Sequence, residues 1–198
     1  MFSRLIPLAL LLVITSLLAG CSTTPEEDAL AMIEGIGGSV RADAQGNVIS
    51  IDLSETPVRD SMLSAIAVFP HVQTINCTNA DNITGSGLAA LRGLSKLETL
   101  YLVHTQVDDA GLRHIRHLTS LKTLQLGHTK ITDAGMPALD SLSQLQTLSI
   151  ANTAVSDEGL VQLRDLRKLS TLILRDTKTT RRGVQELHRM LPEVRVVD

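Results

Sequence analysis

The sequence predicts an α/β solenoid, a chain wound into about six stacked coils that each contribute one strand and one helix. Three observations predict it. The chain repeats itself every 24 residues or so, and within each period apolar residues stand first two apart and then three apart. Its interior must also be aliphatic, because 198 residues include two Phe, one Tyr and no Trp. Hydrophobic residues make up 43 % and charged residues 20 %, the balance of a folded chain. A net charge of −3 and a pI near 6.1 disfavour capture of nucleic acid, and rings are too scarce for a base-stacking platform.

Residues 1–20 read as an export signal. One charge, Arg4, precedes an apolar run over residues 5–18; that run is too short to span a bilayer comfortably and it ends in small residues. The junction Leu18-Ala19-Gly20-Cys21 resembles the lipobox of bacterial lipoproteins. The resemblance implies cleavage before Cys21, transfer of diacylglycerol to its thiol and acylation of the new amino group. Ser22, in place of an Asp, implies the outer membrane in preference to the inner one, with the protein facing either the periplasm or the exterior. Several acyl chains at about 0.8 kcal/mol per buried methylene make such an anchor effectively permanent. Residues 21–25 then form the tether.

Residues 26–47 are expected to cap the solenoid. Thr24-Pro25-Glu26-Glu27 has the form of a capping box with proline at the first helical position. The helix it opens runs to about Ile36 and stops at Gly37-Gly38. Val40 and Ala42 alternate as a strand, and the polar stretch over residues 43–47 turns the chain into Val48.

Residues 48–198 hold the repeats. Val48, Val72, Leu97, Leu121, Leu145 and Leu169 each open a segment of 24 or 25 residues. Leu100/Leu102, Leu124/Leu126, Leu148/Ile150 and Leu172/Leu174 are spaced as the inward residues of a strand. Leu112, Ile115 and Leu118, and likewise Leu160, Leu163 and Leu166, form one helical face. Thr132, Ser156 and Thr180 stand where a helix begins, with Asp133 and Asp157 following, an arrangement suited to N-caps and to the positive end of the helix dipole. Gly111, Gly135 and Gly159 recur where a side chain would obstruct the adjoining coil. Thr56, Thr105, Thr129, Thr153 and Thr177 recur just after each strand and are expected to form a buried ladder bonded to the adjacent coil. The last repeat, with Thr179 and Arg181-Arg182, presents a polar outer face as a closing cap.

The repeat L-x-x-L-x-L-x-x-T-x-(I/V)-x-D-x-G-L-x-x-L-x-x-L resembles the leucine-rich repeat, in a bacterial variant with Thr where Asn is commoner. That resemblance implies a curved solenoid with parallel strands on the concave face and helices on the convex face. It also implies a non-catalytic function, the display of a surface to another protein.

Chemical motifs are sparse. Cys77 occupies an inward strand position and reads as a small buried residue. Gly35-Ile36-Gly37-Gly38 lacks the preceding strand and third glycine of a dinucleotide loop, and Ser86 between Gly85 and Gly87 lacks the strand-to-helix elbow of a hydrolase. No cofactor motif is found, and no enzyme is expected. His104 and His128 share one repeat position and should stack roughly 4.8 Å apart. A metal or catalytic site there is the remote alternative, because Asn79 and Asn152 flank the pair and no third ligand is evident.

What remains is a surface. Outward strand positions form lanes: Asp52, Asn76, Tyr101, Gln125, Ser149 and Ile173 in one, and Ser54, Thr78, Val103, Gly127, Ala151 and Arg175 in the next. Tyr101, Val103, His104, Gln125, His128, Ser149, Asn152, Ile173 and Arg175 are the candidate contacts for a protein partner, with the apolar members expected to be exposed within a polar surround. The alternative is a structural envelope component that packs against its own copies. Charge is uneven along the chain, with eight acids and two bases in residues 22–60, and seven bases and two acids in residues 164–182.

Overall fold

The computed structural model describes residues 23–198; the signal segment and Cys21 lie outside them. Helix α1 (Pro25–Gly35) is opened by Thr24, whose hydroxyl accepts the Glu27 N–H at 3.2 Å while the Glu27 carboxylate accepts the Thr24 N–H at 2.8 Å. Strands β1 (Ser39–Ala42) and β2 (Val48–Asp52) pair antiparallel. The turn between them closes on Asp43, whose carboxylate accepts the N–H groups of Gln45 and Asn47, each at 2.9 Å.

From β2 onward the chain coils. Strands β3 (Thr74–Asn76), β4 (Thr99–Tyr101), β5 (Thr123–Gln125), β6 (Thr147–Ser149), β7 (Thr171–Ile173) and β8 (Arg195–Val197) follow in chain order and pair parallel, so the eight-stranded sheet is ordered as the sequence is. Register is strict: Thr74, Thr99, Thr123, Thr147 and Thr171 face one another in a row, as do the buried Ile75, Leu100, Leu124, Leu148 and Leu172. The fold is the α/β solenoid that the repeats predict. Strand β8 adds a seventh parallel strand, beyond the six repeats, because Val194, Val196 and Val197 restart the strand pattern after the last helix.

The layer opposite the sheet is only partly α-helical. It comprises α2 (Asp60–Ile66), α3 (Asp109–Ile115), α4 (Asp157–Val161) and α5 (Arg181–Met190), but Gly87–Gly93, Met136–Leu139 and Gln162–Asp165 are 3₁₀ turns. Leu88, Leu91 and Leu94, all buried, stand three apart, which suits the 3₁₀ period, but Leu112, Ile115 and Leu118 have the same spacing around α3, so spacing alone does not set the helix type. Among the described residues no helix is long and apolar enough to cross a membrane.

The threonine ladder, buried at Thr56, Thr105, Thr129 and Thr153 and half-buried at Thr177, is bonded differently from the expectation. Thr105 donates its hydroxyl to Leu102 of its own coil at 2.8 Å, and Thr56, Thr129, Thr153 and Thr177 likewise donate to the carbonyl three residues back. The adjacent coil's carbonyls are already taken by backbone donors, such as His104 N–H on Gly127 at 3.0 Å and Leu102 N–H on Gln125 at 2.9 Å. The hydroxyl therefore turns to a carbonyl of its own turn, which at Leu53 and Leu174 also accepts the threonine's own N–H, at 3.4 and 3.2 Å.

Bonds between side chains of successive coils are made instead at the helix starts. The Asp109 carboxylate accepts the Thr132 N–H at 2.8 Å and the Thr132 hydroxyl at 2.6 Å. Asp133 holds Ser156 in the same way, both at 2.7 Å, and Asp157 holds Thr180, both at 2.7 Å. Asp60 holds Thr84 at 2.8 and 2.5 Å and also takes the Ser86 hydroxyl at 2.6 Å. Each hydroxyl meanwhile accepts an N–H of its own coil, from Ser86, Ala134, Glu158 or Gly183. Opposite an aspartate of the preceding coil this position needs a group that both donates and accepts, which is why Ser and Thr recur there. The recurring glycines make room for the same carboxylates: a Cβ on Gly87, Gly135, Gly159 or Gly183 would overlap the aspartate of the preceding coil.

Burial raises the Asp60 carboxyl pKa, and the hydrogen bonds from Ser86, Thr84 and the Gly87 backbone outweigh it, leaving the group below its ordinary value. A carboxylate with a depressed folded pKa stabilises the fold fully above its unfolded pKa, near 4, and loses that contribution as pH falls through the folded value. The melting temperature of Asp60→Asn is therefore expected to lie below that of the parent by a constant gap from about pH 5 to 7, narrowing below about pH 4. A gap unchanged into strong acid would contradict the ladder's charge-assisted character.

Candidate functional site

The strand face carries the side chains singled out from the sequence. Asn76, Tyr101, Gln125, Ser149 and Ile173 lie side by side in register across β3 to β7. One residue past each strand end the chain turns inward to bury Cys77, Leu102, Leu126, Ile150 and Leu174. The next outward residues are Thr78, Val103, Gly127, Ala151 and Arg175.

Exposure along these lanes differs from the expectation. Val103 and Ile173 are half-buried, as are Tyr101, Gln125 and Asn152, while His104, His128 and Arg175 are exposed. Ser149 is only 4 % exposed and drops out as a direct contact. Its short side chain lies between the longer Gln125 and Ile173 on the neighbouring strands. Strands this close shield each other's side chains. Among the described residues the one large hydrophobic that counts as exposed is Val161, on the helical layer. The lanes thus form a grooved surface of half-covered apolar groups with exposed polar tips.

The histidine pair is brought together. His104 and His128 stack face to face, with ring centroids 3.9 Å apart and planes inclined by 17°. Lone pairs of an imidazole lie in the ring plane, so parallel rings hold them side by side and not converging on one point. Among the described residues no group of three His, Cys, Asp or Glu side chains is placed to hold a metal.

The backbone explains why histidine is here. His104 and His128 have φ of 55° and 56°, and Glu55, Asn79, Asn152 and Asp176, the equivalent residues of other coils, have φ between 54° and 59°. The chain makes a left-handed bend at this point in every coil, and Asn, Asp and His are the non-glycine residues that tolerate it best. The bend lets the N–H groups of Glu55, Asn79, His104, His128 and Asn152 reach the next coil, as Asn79 reaches Val103 at 2.9 Å and Asn152 reaches Arg175 at 2.7 Å. The sequence carried the signal, a column at the repeat period that is Asn, Asp or His in every coil but the first, where it is Glu55, but it is legible only once the turn's sign is known.

Cys77 is buried at 1 % exposure, and burial, followed by the nearby Asp52 charge, pushes its thiol up to about 12; it is inert as a nucleophile or ligand at neutral pH. Gly35, Gly37 and Gly38 serve the end of α1 and the turn into β1, Gly37 at φ 87°. His114 and His117 are exposed on the helical side, where Arg116 donates to His117 at 3.3 Å.

Replacing His128 tests whether the column is set by its backbone. His128→Val, a β-branched residue in a left-handed bend, is expected to cost about 1–2 kcal/mol in urea unfolding. His128→Asn, which keeps the bend and deletes the ring stack, should fall within about 0.5 kcal/mol of the parent. Equal losses in both variants would assign the stabilisation to the imidazole stack instead.

Comparison with known proteins agrees with this geometry. Residues 95–155 match the leucine rich repeat family model. No curated protein matches the sequence. Among solved structures, internalin C2 from Listeria monocytogenes is similar over 74 % of this chain and 60 % of its own, at 27 % identity and a TM-score of 0.58. A second internalin from the same organism, inlF, is similar over 79 % of this chain and 51 % of its own, at 22 % identity and a TM-score of 0.56. The Arabidopsis receptor kinase HAESA, solved in complex with the peptide hormone IDA and the co-receptor SERK1, is similar over 96 % of this chain but 32 % of its own, at 16 % identity and a TM-score of 0.60. The chain therefore spans less than two thirds of each of these proteins. Repeats, register and neighbours converge on one architecture: an α/β solenoid with the fold of leucine-rich-repeat proteins.

Proposed function

We propose that the protein is a bacterial lipoprotein, held to the outer membrane by acyl chains on Cys21, that offers its strand face to another protein. The observation that carries the docking role is the strand face itself. Tyr101, Gln125, His104, His128, Asn152 and Arg175 are fixed in register by the sheet, yet among the described residues none of their side chains enters a hydrogen bond or ion pair of the fold. Polar tips left unused over half-covered apolar groups suit a protein interface. The likeness to repeat proteins supports the same class of role, including a receptor solved with a peptide and a protein bound. The anchor rests on the Leu18-Ala19-Gly20-Cys21 junction. The fold alone does not select a partner, because repeat surfaces serve many ligands.

Photo-crosslinking in living cells tests this reading. A crosslinkable residue at Tyr101 is expected to give one discrete adduct that is absent when the same residue replaces Arg116, which is exposed on the helical side. An adduct consisting only of two copies of this chain would replace the docking role by a self-associating structural one. Silence at both positions would remove the strand face as the site.

A further inference from the structure

A groove of about 420 Å³ lies at the opposite end of the molecule from β8, between α1, the β1–β2 hairpin and the segment at Phe69 and Pro70. Leu30, Val40, Ala42, Val48 and Phe69 form its apolar lining; Phe69 is buried, Leu30, Val40 and Val48 are half-buried against the core, and Ala42 is half-buried. Thr24, Glu26 and Glu27 line the same groove. It shares no residue with the strand-face lanes, and nothing in the docking role uses it.

The chain itself supplies an occupant. Thr24 lines the groove, and Cys21 precedes it by three residues, about 10 Å of extended chain. An acyl chain is about as thin as a file of waters, so an open groove with an apolar wall has room to receive one lengthwise.

We propose that this groove shelters one acyl chain of the lipid anchor on Cys21 when the protein is away from the bilayer. The inference rests on the lipoprotein reading above and adds a seat for the lipid within the fold. A tether of three residues keeps the chain at high effective concentration beside the groove, so modest contacts suffice. A mobile acyl chain with apolar walls on several sides is removed from water without any partner protein.

The test uses the full chain, produced in a bacterium that acylates lipoproteins and is fed a diazirine-bearing fatty acid. Intact mass first reports whether Cys21 is acylated; an unmodified Cys21 overturns both this inference and the lipoprotein reading. With acylation confirmed, irradiation of the extracted protein is expected to place adducts on peptides containing Leu30, Val40 or Phe69. Those adducts should be lost in Val40→Asp, and also in Ala42→Trp, which fills the groove without adding charge; circular dichroism checks that each variant folds. Adducts confined to detergent, or unaffected by a folded groove variant, overturn the inference while leaving the lipoprotein reading intact. Adducts that join two copies of the chain overturn it in favour of self-association.

Discussion

The structure depends on one constraint: each coil of about 24 residues must find, one coil away, partners for the polar groups its own turn leaves unpaired. Within a coil this short, backbone bonds form only in the helical turn and the tight bends, so the N–H and carbonyl groups of the strand are satisfied across the stack. Bonds such as Lys122 N–H on Glu98 at 2.8 Å, Leu126 N–H on Ser149 at 2.8 Å and Lys130 N–H on Val107 at 2.9 Å occur at separate points around the coil. They fix the register at the approach to the strand, just past it and on the return. The aliphatic core then fills what that register encloses, Leu on Leu from coil to coil.

The aspartate ladder shows how closely residue choice follows this constraint. Where a carboxylate reaches forward, the next coil supplies a hydroxyl to donate and a glycine to make room. The first coil has no such predecessor, and it carries Arg59 and Met62 at the hydroxyl and glycine positions. The one interior interruption is equally consistent. Asp108 replaces the hydroxyl and accepts the Gly111 N–H at 2.9 Å, and the coil before it carries Gly85 where an aspartate would stand. Two facing carboxylates would repel each other, and a Cβ on Gly85 would overlap Gly111.

Much of this was legible in the sequence, for identifiable reasons. The strand positions of Leu100 and Leu124 and the parallel order follow from a period of two inside a period of 24, which no other arrangement buries. Three features were not legible. The hydroxyl bonds of Thr105 and its equivalents depend on which carbonyls the bend brings within reach, a three-dimensional matter that sequence spacing does not carry. The left-handed bend at His104 and His128 makes a histidine pair that looks like chemistry into a conformational requirement. The burial of Ser149 depends on the lengths of its cross-strand neighbours, which become neighbours only through the register. The candidate surface was therefore located by the repeat, but its relief was set by packing.

Functionally, a stack held at several points around each coil is a rigid support on which side chains such as Tyr101 and Gln125 keep fixed spacing without spending their polar groups on the fold. That rigidity rests on coupling between neighbours. A double-mutant cycle on Asp133 and Ser156, with Asp133 and Asp60 as the control pair, measures the coupling directly. Asp133→Ala and Ser156→Ala should couple by about 1–2 kcal/mol in urea unfolding, and Asp133→Ala and Asp60→Ala, three coils apart with no shared partner, by less than about 0.5 kcal/mol. Additive losses in both pairs would contradict the claim that the coils are tied to one another at this position.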